Sequence, residues 1–191
     1  FSQNEDLKGL NFFTPLYEAI ARHQVLALLY HKFASESWER IVHPYQLRQY
    51  NNRWFLVGME KKVKDKLPLV VIPLDSIDDC KVQEATKFIP YEGDIDDNFK
   101  DIIGVSLRFH EPCQHIVFKA YPAIAPYIET KPIHHSQRIV ERHEDYTIFS
   151  LDLVPNYEFE SLMMTYADKC EILSPISLCE KLAEKAKNIV K

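Results

Sequence analysis

The chain has 191 residues, 46% hydrophobic and 27% charged, with a formal net charge of −5 at pH 7. That length supports one large or two small domains with a real core, and the negative balance excludes the global basic field that gives non-specific affinity for duplex DNA. Four scattered cysteines without a C-x-x-C, no apolar run near the roughly 20 residues that span a bilayer, and a start without signal-peptide order argue against a zinc knuckle, a disulfide framework or a membrane partner. They point to a soluble protein of the reducing cytoplasm.

In chain order, "TPLYEAIARHQ" predicts a short helix, with Thr14 at its N-cap, Pro15 at its first position and Leu16, Ala19 and Ile20 on one face. Val25 to Phe33 and Trp38 to Tyr45 read as strands. Next, Tyr45 to Tyr50 and Trp54 to Gly58 flank Asn51-Asn52, and Asn tolerates the left-handed backbone of a tight turn, so this stretch is expected to be a β-hairpin. Alternation puts Leu47 and Gln49 on one side and Gln46, Arg48 and Tyr50 on the other. With the run Leu67 to Ile77, a helix followed by about five strands suggests a small β-barrel.

From Asp78 to Asp101 acids accumulate around a Pro-Tyr-Glu-Gly turn signal, which reads as a linker. Beyond it, "QHIVFKAY" is a strand and "PAIAPYIET" a short helix. "QRIVERHE" and "YTIFSLDLV" are strands, "NYEFESLMMTYAD" is a helix, "CEILSP" a strand and "ISLCEKLAEKAKNIV" an amphipathic helix. The β-α-β-β-α-β order matches the split βαβ arrangement.

No catalytic motif is present: there is no G-x-S-x-G, and four glycines leave little room for a phosphate loop. Asp75 and Asp78 read as turn or capping residues. Adjacent strand histidines such as His134 and His135 point to opposite faces, so no metal is expected, and no cofactor. Trp54 and Phe55 read as core. Tyr30, Tyr45, Arg40 and Arg53 fit two readings, an ordinary solvated strand surface or an aromatic and basic surface that grips an anion.

The segments "LYEAIARHQVLALLYHKF", "ERIVHPYQLRQYNNRWFLVGME" and "VIPLDSID" together resemble the WYL domain of bacterial transcriptional regulators, Trp54-Phe55-Leu56 standing where that family has Trp-Tyr-Leu. "PIHHSQRIVERHEDYTIFSLDLV" and "YADKCEILSP" resemble the C-terminal extension that usually follows it. The resemblance implies an α+β chain: an Sm-like β-barrel over 1–79, a linker over 80–106 and a ferredoxin-like extension over 107–191. It further implies an N-terminal helix-turn-helix domain that this chain lacks, through which alone duplex DNA would be bound, and a homodimer.

Carried over, the family's pocket falls on Tyr30, Arg40, Tyr45 and Arg53. The final barrel strand departs from the family: Ser76 replaces an Arg, and no basic residue occurs from Leu67 to Ile77. Lys32 and Arg48 are the residues that would compensate. The expected function is a non-enzymatic sensor of a nucleotide or short single-stranded nucleic acid. The alternative is a dimerisation or protein-interaction module with a vestigial pocket.

Overall fold

One strand of 13 residues organises the N-terminal half. It is β2 (Trp38–Tyr50), and it runs through both the expected strand at 38–45 and the first arm of the hairpin. It turns at Asn51 and Asn52, whose φ angles of 47° and 59° are the left-handed values anticipated for this pair, into β3 (Arg53–Glu60). The structure is a computed structural model that describes residues 8–32, 35–60 and 69–189. Helix α1 (Phe13–Ala21) opens the unit after a 3-10 turn at Leu10–Phe12; its N-cap is Phe12, so Thr14 and Pro15 lie inside the first turn rather than at its edge. Strands β1 (Leu26–Tyr30), β4 (Leu69–Pro73) and β5 (Ile77–Val82) complete an antiparallel sheet of order β4-β3-β2-β1-β5. The expected strand at 67–77 is thus two strands around a 3-10 turn, Leu74–Ser76, and its first two residues lie outside the described ones, as does Phe33.

A bulge at Tyr45 decides which side chains face inward. Pro44 is opposite Gly58 and Gln46 opposite Val57, so Tyr45 has no partner of its own in the ladder. Before the bulge the even-numbered Val42 enters the core, and after it the odd-numbered Leu47 packs there. Leu16 and Ala19 of α1 close this core with Leu26, Leu28, Tyr30, Leu56 and Ile72. At Gly9, φ is 84° and an added Cβ would lie 2.4 Å from the Leu74 backbone, so only glycine lets the first 3-10 turn approach the second.

The barrel expected here does not close: among the described residues β4 and β5 are the two edges of the sheet and share no ladder. Yet four residue steps, Pro73 to Ile77, connect them and reach at most about 14 Å. The edges of a flat five-stranded sheet are about 19 Å apart. The sheet must therefore curl.

The C-terminal half holds a second antiparallel sheet, from β6 (Gln114–Ala120), β7 (Arg138–Arg142), β8 (Thr147–Leu153) and β9 (Cys170–Ser174), in the order β7-β8-β6-β9. Helices α2 (Ala125–Thr130), α3 (Tyr157–Tyr166) and α4 (Ile176–Ile189) follow β6, β8 and β9. Phe118, Phe149 and Phe159 are fully buried at the centre of its core. The molecule is thus an α+β protein with two antiparallel sheets and few helices.

Residues 80–106, read as linker from sequence, are divided between two compact units that meet at Asp94 and Ile95. Cys80–Val82 belong to β5, and Ile89 is hydrogen-bonded to the first sheet. Further on, Phe99, Ile102 and Val105 are buried. Asn156, the N-cap of α3, donates to the carbonyls of Ile103 and Ser106 at 2.6 and 3.2 Å, and Glu158 accepts from the backbone of Val105 and Ser106 at 3.1 and 3.0 Å. An α-helical N-terminus favours such a carboxylate.

Candidate functional site

The six residues singled out above fall into separate groups. Tyr30 ends β1 on the core side, where its ring meets Trp38 edge-on at 5.0 Å. The Arg40 guanidinium carbon lies 4.7 Å from the centroid of the same ring, and its Nε donates to Glu60 Oε1 at 2.5 Å. Arg40 and Glu60 are nearly enclosed, their side chains 14% and 10% exposed. Both share the inward face of their strands, which is why a charged pair sits at the margin of an apolar core. Glu60 was missed from sequence because it lies 20 positions from Arg40 and meets it only through the pairing of the two strands.

Arg53 lies at the other end of the hairpin, opposite Tyr50 in the ladder. About ten residue steps of β2 separate Arg40 from that pair, roughly 33 Å of extended strand before curvature. One Arg53 nitrogen donates to both carboxylate oxygens of Asp75, at 2.8 and 2.6 Å. This pair is more open, 42% and 27% exposed, and lines a cleft of about 40 Å³ with Lys8, Leu10, Asn52 and Trp54. The Trp54 ring meets Phe13 edge-on at 4.8 Å and packs against the core. Phe55 points to the opposite face, where the Arg53 guanidinium approaches its ring at 5.8 Å.

Tyr45 serves a third environment. Its hydroxyl donates to the Ile89 carbonyl at 2.8 Å, while Ile89 N–H donates to His43 Nδ1 at 3.1 Å. Phe88 and Tyr91 set their rings against Tyr45 at 5.8 and 5.7 Å. Burial, with Tyr91 beside it, pushes the Tyr45 hydroxyl pKa up to about 12. Arg48 donates to Gln46 at 3.2 Å, and Lys32 is exposed, its backbone N–H bonded to Ser35 Oγ at 3.1 Å. Ser76, at the departure from the family pattern, is buried, and its carbonyl accepts from His31 N–H at 3.0 Å.

Among the described residues no cluster of three or more His, Cys, Asp or Glu could hold a metal ion. His134 is instead bonded to Ser136 and to the Lys100 carbonyl, both at 2.7 Å, and burial holds its pKa below the usual imidazole value.

Two sequence families account for most of the chain. The model of the WYL domain matches residues 11–82, and that of the WCX domain matches residues 113–190. The chain carries a WYL domain followed by a WCX domain. The WYL match contains β1 to β5 and every residue of the three groups above except Lys8, Leu10 and the 88–91 segment; the WCX match contains the second sheet and α2 to α4. No curated protein matches the sequence. Among solved structures, the WYL–WCX chain is similar to proteasome accessory factor B/C of Arthrobacter aurescens, at 13% identity over 95% of this chain and 27% of that one, with a TM-score of 0.38. It is also similar to a CRISPR Cas-related protein, at 12% identity over 96% of this chain and 54% of that one, with a TM-score of 0.53. The second likeness is one of fold alone. The chain thus spans about a quarter and about half of these two proteins. No described helix is long and apolar enough to cross a membrane.

Proposed function

We propose that the chain is the ligand-sensing regulatory region of a bacterial transcriptional regulator, binding a nucleotide or short single-stranded nucleic acid and thereby modulating DNA binding by a domain N-terminal to it. The WYL and WCX matches support the regulatory reading. We take the curled first sheet as an Sm-like barrel and the β7-β8-β6-β9 order, with α2 and α3 as crossovers, as a ferredoxin-like unit. The same reading makes the protein a cytoplasmic homodimer without catalytic activity.

The observation that carries the anionic ligand is the Arg53 cleft. A guanidinium, Lys8 and the Trp54 indole border one opening, and a partly exposed carboxylate engages the guanidinium. Exposed ion pairs are worth only about 0.2–1 kcal/mol, so a phosphate can replace Asp75 at small cost. A charge-assisted bond to the phosphate returns about 1.5–3 kcal/mol. The Arg40–Glu60 pair is nearly buried, and its exchange would be far more costly. Arg53 is therefore the exchangeable cation, and Arg40 with Tyr30 a fixed wall. Displaced Asp75 belongs to the turn between β4 and β5, which gives binding a mechanical output.

One observation favours the alternative of a dimerisation module with a vestigial pocket: carboxylates already engage both arginines, and the Arg53 cleft is small. Thermal shift of the chain against nucleotides, cyclic dinucleotides and short single strands separates the two. A hit that Arg53→Ala weakens about tenfold supports sensing; no shift with any of them supports the scaffold.

A further inference from the structure

A further concavity lies in the second unit. It is a groove of about 550 Å³ with β9 as its floor and α3 and α4 as its walls. Small-molecule sites commonly span about 300–1,000 Å³. The groove exists because α4 presents Ala183 and Ala186 toward it, where larger side chains would fill the space between the helices. Its other surfaces are soft: Met163 and Met164 from α3, Cys170 from β9 and Cys179 from α4. Flexible thioethers adapt to varied apolar shapes. Burial pushes the Cys170 thiol up to about 11 and raises that of Cys179, so both line the groove as neutral thiols.

Two features mark the mouth. Ala167, a lining residue, has φ 48° and ψ −123°, a strained backbone for a residue with a side chain. It turns the chain so that Asp168 stands at the groove, the single charged residue among those that line it. Meanwhile Lys181 and Lys185 of α4 are drawn to Glu160, a lining residue of neither wall. The groove therefore combines an apolar interior with one negative charge at its rim.

We infer that this groove binds an apolar organic monocation, its body among the methionines and alanines and its charge beside Asp168. An anionic ligand of equal shape would meet Asp168 with repulsion, and a polar one would leave its hydrogen bonds unmet.

Titration of the purified chain with tetraphenylphosphonium and with tetraphenylborate, similar in shape and opposite in charge, tests the inference. Saturable one-to-one binding of the phosphonium is expected, at least tenfold tighter than the borate. Ala183→Trp, or Ala186→Trp should the first alter folding, is expected to abolish it with the thermal melt kept, and Asp168→Asn to weaken it about threefold to tenfold. Equal binding of the two ions, binding that survives both Trp variants, or no saturation overturns the inference. It is equally overturned if the Trp variants change the sedimentation of the chain while the phosphonium does not bind, since a second copy would then occupy the groove.

Discussion

Arg40 on β2 lies over the ring of Tyr30 on β1, although the ladder sets Arg40 opposite Leu28 and Tyr30 opposite Trp38. The contact is the diagonal one between neighbouring strands, within reach only of long side chains. Arg40→Ala removes this contact and the Nε bond to Glu60, and is expected to cost about 1.5–3 kcal/mol in denaturant unfolding. Arg40→Lys should recover only part of that, because an ammonium lacks the planar face that lies on the ring. A fully restored midpoint in the Lys variant would show that charge alone matters.

Arg53 and Trp54 are expected to separate binding from stability. Arg53→Ala loses an exposed pair with Asp75 and should change unfolding by about 0.2–1 kcal/mol. Its effect should fall on the ligand, about tenfold or more in Kd, a factor of ten being about 1.4 kcal/mol. Trp54→Ala opens the contact with Phe13 and should cost about 3 kcal/mol, the low end for removing a large aromatic because the indole is half-buried. Thermal melts and ligand titration of both variants check the contrast.

Tyr45 provides a spectroscopic marker. Burial raises its pKa to about 12 in the folded chain, above the ordinary tyrosine value of about 10. Because the folded state keeps this proton where the unfolded state gives it up, the stabilisation is complete below about pH 10 and fades as pH climbs toward 12. Burial also raises the pKa of Tyr166, so absorbance titration near 295 nm should find more than one late-ionising tyrosine, and Tyr45→Phe should delete the step near pH 12. The same variant loses the bond to Ile89 and should cost about 1 kcal/mol.

Glu160 ties α3 to α4. The carboxylate is 2% exposed and is bonded to Lys185 and, at 2.6 Å, to Lys181. Burial alone would push its pKa up, but the two lysines outweigh burial and leave it below the usual carboxylate value. A depressed folded pKa means stability that is present above the unfolded value, about 4.3, and lost as pH falls below it. Acid unfolding of Glu160→Gln, followed by helical circular dichroism, should lose this part of the pH dependence.

What could be read from sequence follows the range of the interactions responsible. The Asn51-Asn52 turn was legible because a positive φ is a property of the residues themselves. The bulge at Tyr45 was not, since it exists only in register with β3, though Pro44 inside a strand is a hint of it. The split of the expected strand at 67–77 escaped in the same way, because Ile77 changes partners to Tyr30. Phe88 to Tyr91 looked like linker because Pro-Tyr-Glu-Gly is a local turn signal, whereas its partners are His43 and Tyr45. Of the site, the cations were legible by type. Their carboxylate partners, 20 and 22 positions away, were not.

The pairing of β5 with β1, Leu26 opposite Val82 and Leu28 opposite Cys80, also governs where the chain can be cut. A protein ended at residue 79 would lose the outer half of β5 and leave the backbone of Leu26 to Leu28 without its neighbour. Such a raw apolar edge recruits strands from other molecules. Expression boundaries for the WYL unit therefore belong beyond Tyr91, and shorter versions are expected to aggregate rather than to report weak ligand binding.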